Sequence, residues 1–290
     1  MAGYQINPDR NSEDKMRAVQ FFDVYFKNFG KLVQVNLLFF ISVIISVAYI
    51  CGTYILFKGL SIAVAAVCLI VLNVFMAGVT QCCRYTYENK EFRTVEAFFK
   101  GIKNNWKSFL LHGVIFYAVF IISYFSVTMY GSAIVQSSIF WVPLVITLLI
   151  VLFALFSFYY VNIMTVTLDI KLKDIYRNSM LFSFGELKNN ILATTALLIF
   201  AAVIFTVCVI FSTPVWLIVV GVLMTALIIP STVEYIIVFY TYDSMLAMLD
   251  VNTKKERQEQ TDAPAKPPIN REEAEKISRL APDSKDEYVF

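Results

Sequence analysis

The chain has 290 residues, of which 58% are hydrophobic, with 24 Lys and Arg against 22 Asp and Glu, one His, and a formal charge of +2. That balance carries no electrostatic footprint for nucleic acid, and five cysteines set in or beside apolar runs do not make a disulfide framework. No cleaved secretory leader is expected either, because the first apolar run starts at Leu32, is longer than a leader core and lacks a small-residue cleavage site.

A helix needs about 20 apolar residues to cross a hydrocarbon core of about 30 Å, and six runs qualify. Ahead of the first, Val19, Phe22, Phe26 and Phe29 recur at helical spacing, with basic residues on other faces. Span one is Leu32–Phe57, a Lys58-Gly59 turn follows, and span two is Ser61–Gln81. The basic loop Arg84–Lys107 repeats the amphipathic pattern with Phe92, Val95, Phe99, Ile102 and Trp106, and leads into span three, Phe109–Tyr130. Gly131–Ser138 links to span four, Ile139–Thr165. A third basic loop, Lys171–Lys188, carries Tyr176, Met180, Phe184 and Leu187 ahead of span five, Ile191–Ser212. Thr213-Pro214 turns the chain into span six, Trp216–Tyr240.

Of the Lys and Arg residues, Lys58 alone falls on the second side of these runs. Basic short loops stay in the cytoplasm, so the expected product is a multi-pass protein of the cell membrane with both termini cytoplasmic. The predicted fold is all-α: a six-span polytopic bundle of three hairpins, each led by an amphipathic cytoplasmic helix. Residues 1–31 form the cytoplasmic N-terminal segment, 32–248 the membrane domain and 249–290 a largely disordered cytoplasmic tail. Within that tail Ala263–Ile269, with three prolines, reads as an extended linker, and Asn270 can cap a short helix over Arg271–Leu280. The three-hairpin plan rests on Lys27-Asn28, Lys103-Asn104-Asn105 and Lys188-Asn189-Asn190, which recur 76 and 85 residues apart, each before an outward helix.

The amphipathic segments have two readings. They cap the bundle from beneath, the favoured role, or they lie in the interface with Arg93, Lys100, Lys103, Trp106, Lys107 and Lys188 toward membrane lipids or a partner.

Inside the six runs there is one carboxylate, Glu234, six residues from the inner end of the last and so roughly 9 Å deep. Asn36, Asn73, Asn162 and the pair Thr194-Thr195 fall at comparable depth, which predicts a shared inner-facing polar pocket. Its role stays open between helix glue, a substrate or proton site, and a partner contact. The outer half offers only hydroxyls, such as Ser42, Ser46, Thr53, Ser123, Ser126 and Thr147, and is expected to be sealed. His112, the lone histidine, reads as a packed or interfacial imidazole. Arg84, Asp169 and Asp243 end the three returning helices, where they anchor in headgroups or pair across hairpins. Cys82-Cys83 reads as packing, with acylation or metal binding the lesser alternatives. The motifs of serine hydrolases, zinc proteases and P-loops are missing from the chain, so no enzyme activity, cofactor or metal is expected.

Three segments carry a family resemblance: FKNFGKLVQVNLLFF from Phe26, ENKEFRTVEAFFKGIKNNWKSFL from Glu88 and LKDIYRNSMLFSFGELKNN from Leu172. Together they resemble the YesL family of bacterial membrane proteins, a domain of unknown function, over residues of about 20 to 245. The resemblance implies a plasma-membrane protein of Gram-positive type, often associated with carbohydrate uptake, with no functional residues to carry over. The resulting expectation is a non-enzymatic accessory or scaffold protein with a membrane transporter or sensor as partner, and with homo-oligomerisation left open. The alternative is a small-solute or proton-coupled carrier centred on Glu234.

Overall fold

A computed structural model describes residues 17–210 and 213–262, which are helical with no strand among them. In chain order the helices are α1 (Arg17–Lys27), α2 (Phe29–Phe57), α3 (Ile62–Ala66), α4 (Cys68–Tyr87), α5 (Thr94–Ala133), α6 (Trp141–Thr167), α7 (Leu172–Gly185), α8 (Leu187–Ile210), α9 (Pro214–Leu227) and α10 (Ile229–Asp262). Five helical stretches are long and apolar enough to cross a membrane, and the pair α9 and α10, bent by 47°, makes a sixth when counted as one span. The described residues therefore form an all-α bundle whose long helices have the length and apolarity of membrane spans. The described residues to Leu246 form one compact unit. A second unit begins at Ala247, and its described part is helical through Asp262, where Lys254–Gln260 is rich in good helix formers. The expected linker Ala263–Ile269 and short helix Arg271–Leu280 lie outside the described residues.

Local chemistry sets the helix ends. Lys58 takes the left-handed conformation (φ 51°) after α2, and Ser61 caps α3 by accepting the Val64 N–H at 3.3 Å. After α4 the chain makes a Schellman turn: Lys90 N–H donates to Tyr85 O, Asn89 N–H donates to Thr86 O, and Asn89 stands at φ 53°. Pro214 opens α9 at a position where its missing N–H costs nothing.

The second hairpin differs from expectation. The amphipathic segment and span three are one 40-residue helix, α5, about 60 Å long. That is twice the hydrocarbon thickness, so its first turns stand beyond the membrane core at the basic end.

The core sits at that basic end. In α5 the buried residues run from Thr94 to Gly113 and none follows to Ala133, and in α8 they are Asn190 and Ala193. Helix α4 is the pillar, and α5 presses close along it. A Cβ on Gly78 would stand 2.8 Å from the Phe98 carbonyl oxygen, and one on Gly113 would stand 2.9 Å from Ile70 Cα. Such contact between backbones is available only to the smallest residue.

The amphipathic segments dock by faces other than the expected ones. Tyr25, with Phe21, meets Tyr235 and Phe239 of α10 through ring centroids 5.2–5.9 Å apart. Thr94, Ala97, Phe98 and Gly101 face the bundle from α5, as do Ile175, Ser179 and Phe182 from α7. Val19, Phe22, Phe26, Phe29, Val95, Phe99, Trp106, Met180, Phe184 and Leu187, expected to cap the bundle, are exposed, Phe26 at 65% and Met180 at 62%. Among them Phe184 still stacks on Phe153 of α6 at 4.2 Å. These helices have two apolar sides, one for the bundle and one for a second apolar environment.

Candidate functional site

The polar groups of span six are organised by a break. Pro230 has no N–H to give Ala226 and its ring crowds the preceding turn, so the helix bends between Leu227 and Ile229. The next ladder bond, Ser231 N–H to Leu227 C=O, is replaced. Asn36 of α2 inserts its carboxamide there: Nδ2 donates to Leu227 O at 2.7 Å, and Oδ1 accepts the Ser231 N–H at 2.7 Å. One buried side chain, 1% exposed, thus satisfies both backbone groups of that missing bond.

Glu234 lies one turn beyond Ser231 and is 2% exposed. Thr80 of α4 donates its hydroxyl to Glu234 Oε1 at 2.6 Å, and Cys83 directs its thiol to Ser231 O at 3.5 Å. The Ser231 hydroxyl is buried with no hydrogen-bond partner. Beside this cluster Tyr25 donates to Thr232 Oγ1 at 2.7 Å, since the Thr232 proton is already committed to Ile228 O. Burial raises the Tyr25 phenol above its ordinary pKa, partly offset by the Thr232 bond. Farther along, Tyr87 donates to Asp243 at 2.5 Å and Tyr242 to Glu88, whose other oxygen meets Lys90 at 2.6 Å. From Thr80 with Glu234 to Tyr87 with Asp243 both positions advance along the chain, so α4 and α10 run in the same direction, as two returning helices must.

The expected polar pocket is only partly assembled. Asn36 and Glu234 belong to one cluster through Ser231. Asn73 sits on the α4–α5 contact beside Gly113, about 10 Å along α4 from Thr80, and its Oδ1 has no partner. Asn162 is half-buried on α6, also with an unpartnered Oδ1. Thr194 is drawn to α6, where it accepts from Tyr159 at 3.0 Å while donating to Asn190 O, and Thr195 is exposed. Similar depth along a helix does not bring side chains to one point, because each helix presents its own face. Thr80 and Ser231 escaped the sequence reading, and Cys83, read as packing, is the third member of the cluster. The proline inside an apolar run was the available signal.

His112 is fully buried and bridges three helices. Thr165 of α6 commits its proton to Val161 O, so it accepts the Nε2–H of His112 at 2.9 Å. In the neutral imidazole Nδ1 then accepts the hydroxyl of Tyr176 from α7. Burial pushes the Tyr176 phenol up to about 12. The repeated asparagines are structural as well. Asn28 donates to Val24 O, Asn105 donates to Gly101 O, and Asn190 donates to Phe182 O and Ser183 O while accepting from Tyr160 at 2.8 Å. Arg84 donates to Val166 O at 2.7 Å, satisfying a carbonyl in the last turn of α6. Asp169 is exposed. Cys82 and Cys83 are both buried, which leaves neither thiol open to acylation in the fold.

The open surface of interest is at the basic end. Lys31, Gln34, Phe92 and Arg93 line a groove of 610 Å³, and Arg93 also lines an adjoining one of 500 Å³ with Tyr85, Glu91 and Lys100. Neither groove is lined by Glu234. Lys103, Trp106, Lys107 and Lys188 are exposed, with the Lys107 ammonium 5.6 Å from the Trp106 ring. Compared with family models, curated proteins and solved structures, the chain returned no match.

Proposed function

We propose that the protein is a non-enzymatic accessory or scaffold component of a plasma-membrane transport system, with both termini cytoplasmic. It works through exposed helix faces and basic inner loops on a transporter or sensor partner. The observation that supports this most is the fate of the polar groups. Asn36, Thr80, Glu234 and His112 are used to join helices to one another, while Lys100, Lys103 and Lys107 and the aromatics Phe22, Phe26, Phe99, Trp106 and Phe184 stay on the surface. A solute path needs polar groups free inside, whereas a docking protein needs its recognition groups outside. The YesL resemblance adds a carbohydrate importer as the partner class. The test is recovery of the tagged full-length chain from native membranes after crosslinking in mild detergent. A stoichiometric transporter or sensor that is lost with Lys103→Glu and Trp106→Ala supports the reading. Recovery of the chain alone, or only with itself, overturns it.

A second reading is favoured by one observation, the broken sixth span beside Glu234. Discontinuous helices near the membrane interior are where carriers hold coupling ions, and on this reading the protein is a small-solute or proton-coupled carrier. Glu234→Gln keeps an acceptor for Thr80 and removes the titrating proton. Lost flux at normal membrane abundance supports the carrier, and unchanged flux eliminates it.

A further inference from the structure

The groove at the start of α2 combines three features that belong to one kind of ligand. First, its cations come from different elements: Lys31 from the first turn of α2, and Arg93 from the link between α4 and α5. Among the described residues neither has an ion-pair partner, and the Lys31 ammonium rests 4.9 Å from the centroid of the Phe92 ring. Second, the local charge favours an anion. Glu96 is the acid in this lining, and with Glu91 and Lys100 of the adjoining groove the three cations outnumber the two carboxylates. Third, the groove opens onto an apolar track. From Gln34 the same face of α2 continues through Leu37, Ile41 and Ile44, all exposed and spaced as one helical stripe running into the span.

We propose that this groove seats the headgroup of an anionic phospholipid, with an acyl chain lying along the Leu37–Ile41–Ile44 stripe of α2. The cations neutralise the phosphate, the Gln34 amide is placed to bond the headgroup, and the stripe gives the chain an apolar surface continuous with the bilayer. A soluble anion would have no use for the stripe, and a zwitterionic lipid would leave the excess positive charge unmatched. The proposal requires only that the chain spans a membrane, so it stands or falls separately from the accessory and carrier readings.

Native mass spectrometry of the full-length protein in detergent tests it, with dioleoylphosphatidylglycerol, dioleoylphosphatidylcholine and inorganic phosphate as probes. The wild type binds phosphatidylglycerol in preference to phosphatidylcholine. Replacing Lys31→Gln and Arg93→Gln together weakens phosphatidylglycerol binding about 30-fold, as expected for two cations beside an anionic headgroup, and leaves phosphatidylcholine unchanged. Lys58→Gln, at the opposite end of α2, keeps wild-type binding. Equal affinity for the two lipids, or undiminished phosphatidylglycerol binding by the double variant, overturns the proposal. So does displacement of the lipid by millimolar inorganic phosphate, which would make the site one for a soluble anion.

Discussion

The two ends of the bundle are built on different principles. At the basic end side chains interlock: Asn36 stitches the broken span, Thr80 holds Glu234, His112 joins α5 to α6 and α7, and glycines let α4 and α5 touch. At the opposite end the same helices present Ile122, Phe125, Ile146, Leu198 and Phe205 outward, and burial in α5 and α8 has stopped. Lipid is as apolar as these side chains, so helices there gain little by associating through greasy faces. Close packing and hydrogen bonds must hold the bundle, and both are concentrated at one end. Stability and surface are thus divided along the length of each helix.

The largest test of that division is Asn36→Leu. It leaves the Ser231 N–H and Leu227 carbonyl buried without partners, and is expected to cost about 3 kcal/mol in thermal unfolding of the purified protein. Adding Pro230→Ala should recover about half of that loss, because a restored N–H lets the span straighten and the ladder close on itself. A double variant no more stable than Asn36→Leu alone would show that the break is imposed by packing and that Asn36 merely fills it. Gly78→Ala comes next, with about 1–3 kcal/mol expected, because the new methyl meets the Phe98 backbone, which has little room to yield.

Much of this was legible in the sequence, and the reasons differ by feature. Span limits followed from apolar run length, since nothing else in a soluble chain imposes it. Asn36 and Glu234 stood out because polar groups inside apolar runs are costly. Their partners did not stand out, because Thr80 and Ser231 are ordinary in membrane helices and only the Pro230 bend gives them a task. The amphipathic helices were read on the wrong side for a physical reason. A helix between bundle and lipid is apolar on two faces, and its packing face uses small residues such as Gly101 and Ser179, which make a weak hydrophobic signal. The larger aromatics of the second face, Phe22, Phe26 and Phe99, dominate the pattern while pointing away from the core.

His112→Ala gives an intermediate effect. It removes the acceptor of the Tyr176 hydroxyl and the donor to Thr165 and opens a void between three helices, for an expected loss of about 1–2 kcal/mol. Tyr176→Phe should cost less, about 1 kcal/mol, because Nδ1 loses a donor while the rings keep their edge-on contact. If the two variants were equally destabilised, the hydrogen bond alone would carry the bridge. If Tyr176→Phe were neutral, packing would.

The smallest effect sharpens the comparison most. Leu198 stands on α8 past its last buried residue and is 65% exposed, so Leu198→Ala should change the unfolding midpoint in detergent by no more than about 0.5 kcal/mol equivalent. The same substitution examined as protein abundance in native membranes separates two causes of that exposure. Where lipid alone covers α8, abundance is unchanged, because an alanine in a lipid-facing helix leaves no cavity. Where another chain covers it, abundance falls while the purified protein stays as stable as before, since the lost contact exists only in the assembly. A destabilised purified protein would contradict the division itself, because it would mean that the outward half of α8 already has a packed neighbour within the fold.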